Sequence, residues 1–220
     1  MPKKFTQQTI LNLLNKTSDN LLLIFTRNPE LGKCKTRLAA TVGDIVALEI
    51  YEFLLNHTAA ITKNLSFDKQ VFYSEEIWEI DVWDATIFTK KLQKGIDLGE
   101  RMQQAFEEGF KMGYKKICII GSDMYDLSQN DIETAFKYLD DHNFVIGPAE
   151  DGGYYLLGMN MINPLLFKNK VWGTANVLRH TLQDLANDNY VQLPIKNDVD
   201  LYEDIKDINA FQPFLKHLKK

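Results

Sequence analysis

Three groups of residues in this sequence have types and spacings suited to chemistry. The first is a run of cations, Arg27, Lys33, Lys35 and Arg37, interleaved with Pro29 and Gly32. It directly follows the apolar segment 21–26. Cations and free backbone N–H groups at a helix start suit a phosphate chain. The Gly-Lys-Cys-Lys-Thr stretch has the outline of a P-loop, but the glycine required five residues upstream is absent, so it is not one. A solvated basic turn is the plainer reading of the same charges.

The second group is acidic. Asp123 follows Gly121 and Ser122 at the end of a buried-type apolar run, 116–121. Asp198 and Asp200 flank Val199, and residues i and i+2 of an extended segment project to one side, where one cation could meet both. Hard carboxylate oxygens of this kind hold Mg²⁺ or Mn²⁺ against phosphate oxygens. The alternatives are a turn-forming Asp123 and an Asp200 that caps a helix from Leu201. The third group is 147–154, Gly-Pro-Ala-Glu-Asp-Gly-Gly-Tyr. Paired glycines permit positive φ or close backbone approach. The stretch reads either as a hairpin turn built on Asp-Gly or as a loop that admits a ligand, with Asp151 facing it.

Other chemistries find little support. The four histidines show no ligand spacing, and no Ser/His/Asp or Cys/His arrangement stands out. Cys34 and Cys118 form neither a disulfide framework nor a zinc motif, and Cys118 reads as a small core residue. A net charge of −5 and a pI near 5.4 argue against general nucleic-acid binding. The N-terminal segment lacks the apolar core and cleavage site of a signal peptide. No apolar run approaches a membrane span, so a cytoplasmic protein without a membrane partner is expected.

These groups need elements to position them. Strands are predicted at 21–26, 69–74, 86–91, 116–121, 143–147, 154–159 and 190–193. Helices are predicted at 44–63, 97–112, from Ser128, at 174–186 and in the tail after Leu201. Ser128 with Asp131 forms a variant capping box, Gly113 is a helix stop, and Thr174 is an N-cap beside a packing Trp172. Alternating strands and helices imply an α/β three-layer sandwich with a mainly parallel sheet. Residues 143–172 break the alternation, so the sheet is mixed. With 220 residues and no linker, one domain over 1–220 is expected, with 1–20 as an N-terminal helical extension. Ligands of such sheets bind outside the strands' carboxyl ends at the switch in strand order, which places the cationic loop and Asp123 at one cleft.

The segments stand in one order: I-F-T-R-N-P-E-L-G-K-C-K-T-R-L, D-L-G-E-R-M, G-S-D-M, G-P-A-E-D-G-G-Y-Y-L-L-G, W-G-T and D-V-D-L-Y-E-D. Over roughly 21–204 this series resembles a bacterial family of glycosyltransferase-A-like proteins of unassigned reaction. The resemblance implies the nucleotide-diphospho-sugar transferase fold. More distantly, the K-T-R-L loop is similar to that of phospholactate guanylyltransferases, and the architecture to that of molybdenum-cofactor guanylyltransferases. The resemblance implies that Lys33, Lys35 and Arg37, in the loop that also holds Arg27 and Gly32, meet donor phosphates. It also implies that Asp123 and Asp200 hold Mg²⁺ or Mn²⁺, and that Asp151 and Lys35 serve catalysis. Tyr125 and Leu201 depart from the proline and threonine usual in that family.

Three activities follow as expectations. The first is metal-dependent glycosyl transfer from a nucleotide-sugar to a small acceptor. The second is nucleotidyl transfer from a nucleoside triphosphate with release of pyrophosphate. The third is a non-catalytic nucleotide-binding module.

Overall fold

Leu21 to Ile24 are fully buried, as a continuous apolar run must be when a strand is covered on both faces. In the computed structural model, which describes residues 16–218, this run lies in β1 (Asn20–Thr26). The other strands are β2 (Asp68–Tyr73), β3 (Thr89–Leu92), β4 (Lys116–Gly121), β5 (Phe144–Pro148), β6 (Tyr154–Met159) and β7 (Tyr190–Gln192). They form a seven-stranded sheet in the order β3-β2-β1-β4-β6-β5-β7. β1 lies between β2 and β4, parallel to both. β6 runs antiparallel to its neighbours β4 and β5, so the sheet is mixed and mainly parallel, as expected. β1 connects forward to β2 on one side, and β4 lies on its other side, which opens a crevice at their carboxyl ends.

Helices α1 (Thr36–Val42), α2 (Asp44–Thr62), α3 (Leu98–Lys111), α4 (Gln129–Tyr138) and α5 (Val177–Asp184) flank the sheet. On one face Tyr51 and Leu55 of α2 and Ile132 and Phe136 of α4 pack on Leu22, Ile24, Val71 and Ile120. On the other, Met102 and Phe106 of α3 and Leu178 and Leu182 of α5 pack on Leu21, Leu23, Ile117 and Ile119. A third cluster joins Leu38 of α1 and Ile50 and Leu54 of α2 to Val199, Ile205, Phe211 and Leu215. No described helix is long and apolar enough to cross a membrane.

Local signals account for most element ends. Ser128 and Asp131 form the reciprocal capping box at α4, and Gly113 follows α3 with φ 86°. Two expectations change, and a third lies beyond what the described residues can test. The helical extension over 1–20 falls almost wholly outside the described residues. The tail forms short 3-10 turns, Tyr202–Asp204, Asn209–Phe211 and Lys216–Leu218, rather than one helix; Pro213 lacks the N–H that a continuous helix would use there. Thr174 does not cap α5, which begins at Val177. Its hydroxyl donates instead to the Val171 carbonyl at 2.8 Å.

Gly158 on β6 stands between Cys118 on β4 and Val145 on β5. A Cβ there would lie 2.5 Å from Val145 Cγ1 and 2.7 Å from Cys118 Sγ. The neighbours' side chains occupy the space that glycine leaves. Gly158→Ala is expected to lower unfolding free energy by about 1–3 kcal/mol through overpacking, and to lower Tm by several degrees. Denaturant and thermal melts check this; an unchanged midpoint would show that the sheet relaxes freely at this position.

Candidate active site

The crevice is built first by the loop that leaves β1. Asn28 is buried and ties this loop to the end of β2: its Nδ2 donates to the Glu76 carbonyl at 2.9 Å, and its Oδ1 accepts from the Glu75 and Glu76 N–H groups. Cys34, which stands in a polar stretch of sequence, is buried, with Sγ 3.3 Å from the Asn28 carbonyl. Lys35 follows in the left-handed region, with φ 49° and ψ 44°. Such a conformation is uncommon for a side chain other than glycine and is held only where the surroundings enforce it.

That backbone turn sends the Lys35 side chain inward, where it is 5% exposed. Nζ lies 2.7 Å from Asp123 Oδ2 and 3.2 Å from Asp200 Oδ1. Arg37 reaches the other oxygen of Asp200. Burial by itself would lower the Lys35 pKa, but the negative charges of Asp123 and Asp200 outweigh it and raise the value above 10.5. Crowding by protein atoms would raise the Asp123 carboxyl, and Lys35 outweighs that, holding it below 3.8. Lys33 turns away to Glu30 at 2.7 Å and Glu75 at 3.7 Å. Arg27 has no ion-pair partner among the described residues; its main-chain groups bond to the Tyr51 hydroxyl.

A buried hydroxyl network holds these loops together. Tyr51 Oη lies 3.4 Å from Ser122 Oγ, which in turn donates to Thr26 Oγ1 at 3.0 Å. Thr58 Oγ1 donates to the Ser122 carbonyl at 3.1 Å. Helix α2 thereby clamps the carboxyl ends of β1 and β4, fixing Arg27 relative to Asp123. Tyr51, Thr58 and Ser122 are not marked by sequence, since hydroxyls on a helix and at a strand end have no distinctive spacing.

The remaining carboxylates come from two other segments. Asp151 and Gly152 link β5 to β6. Gly152 has φ 87°, and a Cβ there would lie 2.3 Å from the Ala175 carbonyl, so close backbone approach requires the glycine. Asp204 accepts from the N–H groups of Asp200 and Leu201 at 2.8 and 2.6 Å. Asp204, not Asp200, is therefore the capping residue, and the Asp200 carboxylate is left to face Lys35. Carboxylate oxygens of Asp151, Asp198 and Asp200 lie within 4.8 Å of one another. Burial, then the charges of Asp151 and Asp200, push the Asp198 carboxyl up to about 6. Asp123 and Asp200, expected to hold an ion together, are bridged by the Lys35 ammonium in this structure. The converging carboxylates are Asp151, Asp198 and Asp200.

Three adjoining cavities run along the crevice. One of about 280 Å³ is lined by Arg27, Lys33, Lys35, Arg37, Asp123 and Asp200. The next, of about 460 Å³, shares Arg27, Lys33, Tyr51 and Asp123 and adds Ser74, Gln93 and Arg101. The third, of about 210 Å³, adjoins it at Phe25 and Leu98 and includes Asp151. Gly32, exposed with φ 73°, is in the same loop but lines none of the three. Arg101 and Leu98 belong to the D-L-G-E-R-M segment, whose N-cap, Asp97, accepts from the Glu100 N–H at 2.8 Å. The Arg101 guanidinium donates to the Gly95 carbonyl and to Gln93. That motif was the available signal for Arg101.

The chain belongs to the family described as "Uncharacterized protein conserved in bacteria (DUF2064)", whose model matches residues 57–174. No curated protein matches it. Among solved structures, it is similar to a "putative nucleotide-diphospho-sugar transferase" from Desulfovibrio desulfuricans G20. The identity is 29%, the TM-score 0.82, and the match covers 92% of this chain and 96% of that one. It also shares its fold with a cytidylyltransferase from Leptospira borgpetersenii serovar Hardjo-bovis, at 13% identity and TM-score 0.55 over 91% and 94% of the two chains. A third is a 4-diphosphocytidyl-2C-methyl-D-erythritol synthase from Anaerococcus prevotii, at 8% identity and TM-score 0.51 over 92% and 100%. The fold is thus that of the nucleotide-diphospho-sugar transferases.

Replacing Lys35 with methionine would leave Asp123 and Asp200 facing each other with less compensation. Breaking a fully buried pair costs about 3–5 kcal/mol. Asp123 is 44% exposed, so about 1–3 kcal/mol is expected here. Because the Asp123 pKa is depressed, its contribution is present above 3.8 and is lost as pH falls through the lowered value. Because the Lys35 pKa is raised, its contribution persists above 10.5. The stability gap between wild type and Lys35→Met should therefore be flat from about pH 7 to 9 and shrink as pH falls, first as the Asp198 carboxyl, which lies at about 6 and is itself lowered by Lys35, takes up its proton, and then as Asp123 does. Denaturant titrations across pH check this; a gap that widens in acid would contradict the pairing.

Proposed function

We propose that the chain is a transferase that binds a nucleotide-linked donor in this crevice and transfers a glycosyl group to a small acceptor hydroxyl. The observation that carries the reading is the convergence of Asp151, Asp198 and Asp200 beside the Lys35–Asp123 pair. It lies between a cation-lined cavity and an apolar one. The donor's phosphates belong with Arg27, Lys35 and Arg37, where cations and loop N–H groups suit them. The acceptor oxygen forms a bond to the donor's anomeric carbon. The bond from that carbon to the phosphate oxygen breaks, and its electron pair leaves with the nucleoside diphosphate. Asp151 takes the acceptor's proton as general base.

The donor set fits a hard divalent cation such as Mg²⁺ or Mn²⁺. Its ligands are carboxylate oxygens, and the Asp198 carboxyl is raised first by burial and then by the charges of Asp151 and Asp200, the second of which a cation would offset. Asp198 and Asp200 would hold such an ion, with Asp151 beside them and Asp123 facing the phosphate side. When bound, it would offset the charge developing on the departing diphosphate.

Nucleotidyl transfer from a triphosphate is the second reading, favoured by the number of cations in the loop. Lys33, Lys35 and Arg37 are already paired with Glu30, Glu75, Asp123 and Asp200. That pairing leaves less free positive charge than the loop's composition implies, and a nucleotide-sugar carries less negative charge than a triphosphate. Glycosyl transfer is accordingly placed first.

Incubation with a panel of nucleotide-sugars, small alcohols and Mn²⁺ is expected to release a nucleoside diphosphate. Pyrophosphate release from a triphosphate would move the assignment to nucleotidyl transfer. Nucleotide binding without either product would favour a binding module. Arg27→Ala is expected to weaken nucleotide affinity roughly ten- to a hundred-fold by calorimetry. In the glycosyl-transfer assay, Asp151→Asn should reduce kcat by about 10²–10⁴-fold with nucleotide affinity retained; an unchanged kcat would remove Asp151 from the proton transfer.

A further inference from the structure

Beyond Asp151 the crevice changes character. The third cavity is walled by Phe25, Leu98, Met102, Tyr154, Trp172 and Val177, with Asp151 and Thr174 also lining it. Its volume is about 210 Å³. The walls are held in place by the fold. Trp172 packs against Gly99 in the first turn of α3, where a Cβ would lie 2.7 Å from the indole Nε1 and 2.3 Å from the Phe167 carbonyl oxygen. Only the missing side chain lets the indole lie there. The Tyr154 hydroxyl has as its hydrogen-bond contact the Met102 sulfur at 3.8 Å, a weak acceptor. Its O–H is thus available to an oxygen placed in the cavity.

We infer that this cavity receives the acceptor, and that the acceptor is an alcohol with an apolar body, such as an aryl or cycloaliphatic alcohol, rather than a polyol. The inference rests on the proposed transferase reading for the word acceptor; the ligand class rests on the cavity alone. A polyol would bury hydroxyls against Leu98, Met102 and Val177 without partners, and each unpaired hydroxyl opposes binding. An apolar ring meets Trp172 and Leu98 instead, while its one hydroxyl finds Asp151 or the Tyr154 phenol. A largely apolar pocket with a few polar groups at fixed places is the usual form of a small-molecule site.

The full chain labelled with 5-fluorotryptophan provides a direct test, because Trp172 is one of three tryptophans, the others being Trp78 and Trp83. Single Trp→Phe variants assign the three fluorine resonances. Benzyl alcohol and cyclohexanol are expected to shift the Trp172 resonance saturably at about millimolar concentration, and glycerol at equal concentration to leave it in place. Leu98 is 42% exposed, so Leu98→Asp should fold and weaken benzyl alcohol binding at least ten-fold. Tyr154→Phe, which keeps the ring, should weaken it about two- to ten-fold. A Trp172 resonance unmoved by the two apolar alcohols, glycerol binding as tightly as they do, or benzyl alcohol affinity unchanged in both variants would overturn the inference. The assay contains no nucleotide. Failure of nucleotide binding alongside intact benzyl alcohol binding would therefore count against the transferase reading alone.

Discussion

Lys35 lies between Asp123 and Asp200, and this contact joins segments 88 and 165 residues apart in the chain. Its ammonium is buried, so it must be compensated, and the two carboxylates compensate it at hydrogen-bonding distance. The cost of leaving any of the three charges alone holds the loop after β1, the end of β4 and the Asp198–Asp200 segment at one point. The left-handed backbone at Lys35 is the local strain that this arrangement maintains.

Apolar packing supplies the rigid frame around that contact. Val199 is buried with Leu38, Ile50 and Phe211, and burying it turns the carboxylates on either side toward the crevice. On the sheet side, the Tyr51, Ser122, Thr26 and Thr58 hydroxyls satisfy one another and the main chain in the interior. A buried polar network of this kind is stable only when its members are paired, and here the pairing also sets the distance between the ends of β1 and β4. Charge and packing thus act on the same few residues.

The crevice divides chemically. Toward α1 it is lined by cations and carboxylates; toward α3 and α5 it is lined by aromatic and aliphatic side chains. The converging carboxylates stand near the boundary, with Asp151 reaching the apolar side. A charged donor and a less polar acceptor would each find a matching environment, with the reacting bond between them. The parallel strands make this geometry available, because their carboxyl ends open at one edge of the sheet.

The sequence by itself determined most of the elements and several of their ends, though not helix α1, the start of α5 or the 3-10 turns of the tail. Continuous apolar runs marked the doubly covered strands β1 and β4, Ser128 and Asp131 marked the start of α4, and the break in alternation after residue 143 marked the antiparallel strand. Those features depend on neighbours within a few residues, so they were legible. The placement of Asp123 at the end of β4 was legible for the same reason. Tertiary structure alone decided which charges meet. Lys35 and Asp200 stood out in sequence as separate candidates, one for phosphate and one for a cation, but their pairing follows from three-dimensional distance and from burial that excludes water. Cys34 in a polar stretch proved buried, and the cap that was one of two readings of Asp200 came from Asp204, because the fold decided which of two nearby carboxylates met the free N–H groups. Trp172 read as a packing residue, and Leu98 and Tyr154 stood in motifs that assigned them no role; that the three enclose a cavity depends on space left unfilled between elements, which no local pattern of residues records.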